Sequence, residues 1–600
     1  MAVNTDPDGP VRRDDERGCD PDDVAIKSFF LGPQAENADW FRAVFEHIVE
    51  TYLEWRRRIH ADDGRAISVA DRAMPQFVEK RRVFRSLVHE LLQRFEREVP
   101  KFSPRYIGHM FSETSMPAMV GHVVTLLHNP NNVSGESSRV GVQLEEEAVG
   151  ELVQMLGFAD GCARGHFTSG GTVANFEAMT RARHRLDRFI ALGAEAKSAK
   201  GWGGSLFEAA HMGWQSYDEL CDELDGDRDS SQFELLSHNP FEVAARLNSV
   251  FAEPYRGPVV LVPDHKHYSW VKGVELLGLG REAFWSVDLD HRGVMSIEHL
   301  GERIEEARRK GRPVLMVVSV AGTTELGAFD PVAGVQDLLD RYAVEQNIHI
   351  YHHVDAAYGG FFAANICGES PGCIMEDGVC DAVGAIHRAN SVTLDPHKLG
   401  YVPYSSGAFL AADEREYFSN SVDAPYVAFD PDSDRGPQTI EGSRSAAGAV
   451  ATWLTARTIG LDADGYGRIL RRTLVARRRV QQALQSVDVP VRVIPPSSNI
   501  LAFYVAHDGE SLSAVNRRTQ EIYEAFSPAT DAEFYVSKTA LRFSEYEAML
   551  QPLVESWDGQ RDDRELIVIR LCLMNPFIVS RETKTDFPGE FARAVADVVG

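Results

Sequence analysis

Between residues 259 and 411 the chain repeats a pattern that few folds accommodate: short, unbroken, β-branched apolar runs, each followed by residues at helical spacing. Such runs occupy 259–262, 314–318, 348–354, 392–394 and 408–411, with helical segments such as 296–309 and 332–342 between them. A strand that is apolar at every position is buried on both faces, so helices must cover the sheet above and below. The expected fold class is α/β with a mostly parallel central sheet. In such sheets ligands bind just past the carboxyl ends of the strands. The stretches found there are HKHYSW (265–270), AGTTELGAFD (321–330), HVDAAYGG (353–360) and DPHK (395–398).

The full chain of 600 residues exceeds one ordinary core, and its character changes along its length. Residues 1–25 are polar and acidic and read as a disordered tail. Residues 26–130 read as an N-terminal helical segment; one helix carries an apolar stripe of Phe41, Val44, Phe45, Ile48, Val49, Tyr52 and Leu53, and a second runs through 77–95. Helices placed ahead of a large domain usually clasp something, most often a second copy of the chain. Residues 131–460 form the large domain, opening on a helix within VGVQLEEEAVGELVQMLGF, and about 191–257 reads as an insertion carrying little core. Residues 461–600 alternate a helix (466–484) with strands (491–494, 500–505, 567–571), a small α+β domain.

A net charge of −27 argues against nucleic acid and against an anionic membrane surface as partners. No run approaches the ~20 apolar residues of a membrane span, and the first residues do not resemble a leader. Seven cysteines, odd in number and scattered, suggest reduced thiols and the cytoplasm. Cys367, Cys373 and Cys380 lie closer together, but without CxxC or HxxxH no metal site is expected there.

Four features at the strand ends point to one chemistry. The run 391–394 stops at Asp395-Pro396, which puts His397 and Lys398 on the turn beyond a strand. A lysine held against Leu399, Tyr401 and Val402 is expected to have a lowered pKa and to act as a Schiff-base nucleophile; the plain alternative is a solvated loop lysine. Ser169-Gly170-Gly171-Thr172 precede a helix bearing Val173, Phe176 and Met179, so glycine-turn donors and a helix dipole converge as a phosphate cradle. The alternative is Thr172 as an N-cap beside a tight turn. Neither GxxxxGK[ST] nor GxGxxG occurs here, which disfavours nucleoside triphosphates and dinucleotides. Asp355 follows a buried strand and requires a cationic partner such as a protonated pyridine nitrogen, unless it caps a helix. His267 offers a flat ring to stack on such a heterocycle, and Ala357 is small enough to back its other face. Cradle, ring-nitrogen acid, stacking ring and lysine are together what pyridoxal phosphate requires. His109, in SPRYIGHM, is open between lining a site and being a satisfied core histidine.

GHFTSGGTVAN, DHKHYSWVKG, HVDAAYGG and SVTLDPHKLGY resemble the pyridoxal-phosphate-dependent group II amino-acid decarboxylases. FLGPQAENAD, SPRYIGHM, LLHNPNN, PHKLGYVPYSSG and EGSR (441–444) are similar to the bacterial tyrosine decarboxylases within them. The resemblance runs from about residue 29 to the end and is strongest over 103–444. It implies the type I, aspartate-aminotransferase-like fold and a homodimer with its sites at the subunit interface. Carried onto this sequence, it makes Lys398 the covalent anchor of pyridoxal phosphate and Asp355 the ring-nitrogen partner. It makes His267 the stacking and acid–base residue, Ala357 the opposite-face contact, and Gly171 and Thr172 phosphate ligands with His397 nearby. Thr323 would lie beside the ring. The stretch REYFSNSVDAPYVAFDPDSDRGPQTIEGSR has the length and polarity of a lid, in which Tyr426 aligns with the family tyrosine that returns a proton to the substrate, Tyr417 being the alternative. The implied reaction is decarboxylation of an L-amino acid to the amine and CO2, with L-tyrosine or L-DOPA the first candidates. Glutamate or aspartate decarboxylation, or decarboxylative oxidative deamination, are alternatives. A catalytically silent binding relative is a third, against which intact Lys398, Asp355 and His267 argue.

Overall fold

The computed structural model describes residues 24–600 apart from 160, 225–230, 367–374, 376, 421–428, 431–433, 496 and 530. The apolar runs become a seven-stranded sheet: β1 Arg164–Thr168, β2 Val259–Pro263, β3 Phe284–Val287, β4 Val314–Val320, β5 His352–Asp355, β6 Ser391–Leu394 and β7 Gly407–Ala411, in the order β1-β7-β6-β5-β4-β2-β3. Strands β3, β2, β4, β5 and β6 pair in parallel, and β7 is antiparallel to both β6 and β1. Because β1 is reversed twice relative to β6, the carboxyl ends of β1, β2, β4, β5 and β6 all emerge at one edge. Every residue of β2, β4, β5 and β6 is buried; β2 and β4 are the apolar runs that demand it, whereas β5 (HHVD) buries His352 and His353 by hydrogen-bonding both rings. A second, wholly antiparallel sheet lies in the last part of the chain: β8 Val491–Ile494, β9 Ile500–Val505, β10 Ser537–Arg542 and β11 Glu565–Cys572, in the order β10-β11-β9-β8.

The stretch 191–257 departs from the expected core-poor insertion. The helix that begins at the glycine turn continues unbroken as Gly171–Lys200. Beyond it Leu206, Phe207, Leu220, Phe233, Val243 and Leu247 are buried. Polar residues dominate the composition there, but most of the apolar minority packs into the cores that cover the sheet, while Leu236 and Phe241 stay exposed.

The N-terminal helices Ala38–Arg58 and Pro75–Phe95 behave oppositely: neither has a buried residue. Trp40, Trp55, Phe84, Leu87, Leu91, Leu92 and Phe95 stand exposed on them. Among the described residues no helix is long and apolar enough to cross a membrane. Cys162 and Cys572 are free thiols. Cys380 is disulfide-bonded, so the expectation of reduced thiols does not hold for it.

Candidate active site

Five loops from the common strand edge enclose a cleft of about 350 Å³. Its walls include Gly170, Gly171 and Thr172 after β1, His265 and His267 after β2, Gly322 and Thr324 after β4, Asp355 and Ala357 at the end of β5, and Asp395, His397 and Lys398 after β6.

At the head of helix Gly171–Lys200, Gly170 occupies the N-cap and no side chain caps the helix, so Thr172 is not the cap. The first amides are left for a ligand to accept from. The glycines are required by close approach: a Cβ on Gly171 would lie 2.8 Å from Asp395 Oδ2 and 3.1 Å from the Ala357 Cβ, and one on Gly407 would lie 2.5 Å from the Gly170 Cα. Across the cleft, Asp355 Oδ2 accepts hydrogen bonds from Asn175 Nδ2 (2.9 Å) and Trp270 Nε1 (3.1 Å). Its Oδ1 has only a long contact from the Ala357 amide, at 3.4 Å. Both strong donors are neutral, so this buried carboxylate keeps one oxygen and its charge for a cation brought into the cleft.

His267 Nδ1 accepts from Ser269 Oγ (2.9 Å) and from the Ser269 amide (3.3 Å), which leaves its proton on Nε2. Burial lowers its pKa, partly offset by Asp355, so the ring is neutral near pH 7. The same Ser269 Oγ accepts from Asn175 Nδ2 at 3.0 Å, so one amide fixes both the aspartate and the histidine. That amide is itself oriented, because Thr393 Oγ1 donates to Asn175 Oδ1 at 2.7 Å.

Lys398 Nζ donates to Asp395 Oδ2 at 3.0 Å. Burial works to lower its pKa, as the sequence suggested, but the adjacent Asp395, with Asp355 behind it, outweighs burial and holds the pKa above the ordinary lysine value. The expected lowering is therefore reversed. His397 stacks on Tyr404 with ring centroids 4.0 Å apart, accepts from the Ser406 amide at 3.3 Å, and has its pKa lowered by burial.

Two of the threonine and tyrosine expectations change, and a third falls outside the described residues. Thr323 does not reach the cleft: its Oγ1 is buried, accepting from the Ala328 amide at 3.0 Å within its own turn, and Thr324 lines the wall instead. Tyr417 is not a lid residue; it is fully buried, its hydroxyl paired with His166 Nδ1 at 2.9 Å. Tyr426 lies outside the described residues. His109, left open by the sequence, pairs through Nδ1 with the Tyr106 hydroxyl at 2.9 Å and is not part of the cleft wall.

Residues 249–488 match the model of the pyridoxal-dependent decarboxylase conserved domain. Across 96% of this chain and 96% of its own length, the L-tyrosine decarboxylase of Levilactobacillus brevis is 29% identical. That of Enterococcus faecium is 27% identical over 96% of this chain and 98% of its own. The chain is a pyridoxal-phosphate-dependent amino-acid decarboxylase. Its fold is that of the solved Catharanthus roseus tryptophan decarboxylase, at a TM-score of 0.58 and 16% identity, covering 98% of this chain and 99% of that one.

The cleft of the decarboxylase fits its coenzyme on its own terms: an uncapped helix head for a phosphate, an acidic oxygen held back for a ring nitrogen, and a lysine between them. Sequence reasoning missed Asn175, Trp270 and Asp395. Asn175 lies four residues after Gly171 and Trp270 three after His267, one helical turn on in each case, a spacing that would have flagged them. Asp395 was read only as the end of a strand.

Proposed function

We propose that the decarboxylase acts on L-tyrosine, with L-DOPA the next candidate, and works as a cytoplasmic homodimer. The observation that carries the substrate is coverage. The relatives named L-tyrosine decarboxylase align with 96% of the chain, far beyond the conserved domain at 249–488. The charge of the cleft supports the same reading: among the described residues lining it, Lys398 is the sole lysine or arginine. A glutamate or aspartate substrate would bring a second carboxylate to a wall that offers it no second cation.

In this reading Lys398 holds the coenzyme covalently and Asp355 Oδ1 keeps a proton on the ring nitrogen. The Gly171 and Thr172 amides bind the phosphate beside His397, while His267 and Ala357 hold the ring between them. Bound there, pyridoxal phosphate supplies the sink for the electron pair released with CO2. Tyr426, assigned from sequence alone, returns a proton to the substrate Cα together with the His267 Nε2–H. The expected result of a screen across amino acids is amine and CO2 from tyrosine at a kcat/KM at least about tenfold above glutamate and aspartate, without peroxide. Preferential turnover of an acidic amino acid, or peroxide formed with the CO2, would refute it.

The dimer reading rests on the uncovered helices. Phe84 is 69% exposed and Leu92 61%, within a 21-residue helix that buries nothing. Apolar patches of that extent mark interfaces. Phe84→Asp with Leu91→Asp should convert a sedimenting dimer to monomers, and a wild-type protein that already sediments as a monomer would refute the assignment.

A further inference from the structure

Asp395 has no part in the roles assigned above, yet it is the carboxylate nearest the reactive nitrogen. It is 2% exposed. Its Oδ2 accepts from Lys398 Nζ at 3.0 Å, with His397 Nε2 at 3.5 Å, and its buried Oδ1 has no hydrogen-bond partner. The other titratable groups facing this pair are Asp355 at the end of β5, His265 and His267 after β2, Tyr268 and Tyr358 at the cleft margin, and Tyr404 on its own loop. The glycine turn contributes no acid or base. Burial keeps His267 and His397 neutral, and His265, whose pKa burial would lower but Asp330 raises, is paired with that carboxylate at 2.8 Å, so Lys398 is the cation that balances Asp395.

We propose that Asp395 is the counter-ion of the Lys398 nitrogen throughout the cycle, keeping that nitrogen protonated after it has joined the coenzyme aldehyde. The charge balance requires it. When an ammonium condenses with an aldehyde, the carbonyl oxygen leaves as one water with two of the three nitrogen protons, and the nitrogen keeps one proton and the same positive charge. Were that last proton to leave as well, Asp395 would remain a buried carboxylate with one oxygen unpartnered and no neighbouring cation, a costly state. Asp395 therefore favours the protonated linkage, the form a substrate amine attacks. As a positioning residue it acts through Lys398 rather than on the substrate.

The inference rests on Lys398 being the point of attachment, and one experiment separates the two. Reconstituted enzyme is titrated with alkali while the yellow band of the protonated linkage is followed. The wild type should stay yellow to above neutral pH, and Asp395→Asn should lower the midpoint by one to two units, about 10- to 100-fold in proton affinity. Asp395→Ser, which also removes the charge, is expected to shift it the same way and serves if the asparagine variant does not fold. A wild type that bleaches at or below neutral pH overturns the proposal without any variant. Lys398→Ala should show neither band nor borohydride trapping. A band that survives Lys398→Ala removes the lysine assignment itself. A band that needs Lys398 but titrates alike in wild type and Asp395→Asn removes only the role of Asp395.

Discussion

Lys398→Ala should reduce decarboxylation by about 10^5-fold, the scale on which a positioned group outperforms the same group free in solution. The nitrogen of Lys398 stands between the head of helix Gly171–Lys200 and Asp355, and no other lysine lines the cleft among the described residues. Its loss removes covalent capture of the coenzyme, leaving only the contacts that Asp355 and His267 would make to the ring. It also leaves Asp395 without its ion pair, so some loss of stability accompanies the loss of turnover. Single-turnover assays at saturating coenzyme separate the two effects, since unfolding alone would be rescued by lower temperature. Turnover within about tenfold of the wild type would mean that the lysine has no chemical role.

The second large effect is on stability and lies just behind the cleft. Glu177→Ala should cost about 3–5 kcal/mol, because it strips a buried cation of its partner. Glu177 sits fully buried on the helix that begins at the glycine turn, with Oε2 accepting from Arg181 Nη1 at 2.6 Å, Oε1 accepting from the Ile440 amide at 2.7 Å, and His166 Nε2 at 3.2 Å. Burial alone would raise its pKa, but His166 and Arg181 outweigh burial and hold it down to about 2. Burial lowers the pKa of His166 itself, so Arg181 is the partner that remains charged at neutral pH. The sign follows. A folded pKa below the unfolded value of 4.5 gives stability that is complete above that pH and lost as pH falls from there toward 2. Urea unfolding followed against pH should show this acid limb flattened in Glu177→Ala. Equal slopes in both proteins would place the acid sensitivity elsewhere.

Much of this was readable from local pattern. The runs at 491–494 and 500–505 coincide with β8 and β9, and helices expected at 296–309 and 466–484 appear as Ile297–Arg309 and Tyr466–Ser486. DPHK and HVDAAYGG lie at the shared sheet edge because each follows directly on a buried parallel strand, β6 and β5. The strands that went unread are β1, β3 and β10, three of the four outer strands, β8 being the one that was legible. An outer strand is covered on fewer sides, so Arg164–Thr168 and Ser537–Arg542 carry charged residues that blur any apolar signature.

The chain's own residues thus determined which strands bury on both faces, and hence an α/β sheet with lysine, aspartate and histidine at its ligand edge. Tertiary structure alone decided the charge state of Lys398, the replacement of Thr323 by Thr324 in the wall, the burial of Tyr417, and the bond from Asn175 to Asp355, 180 residues away. The physical reason is range. Periodicity reports what lies within one turn or one pleat, whereas a pKa or a carboxylate's partner depends on groups that meet only through space.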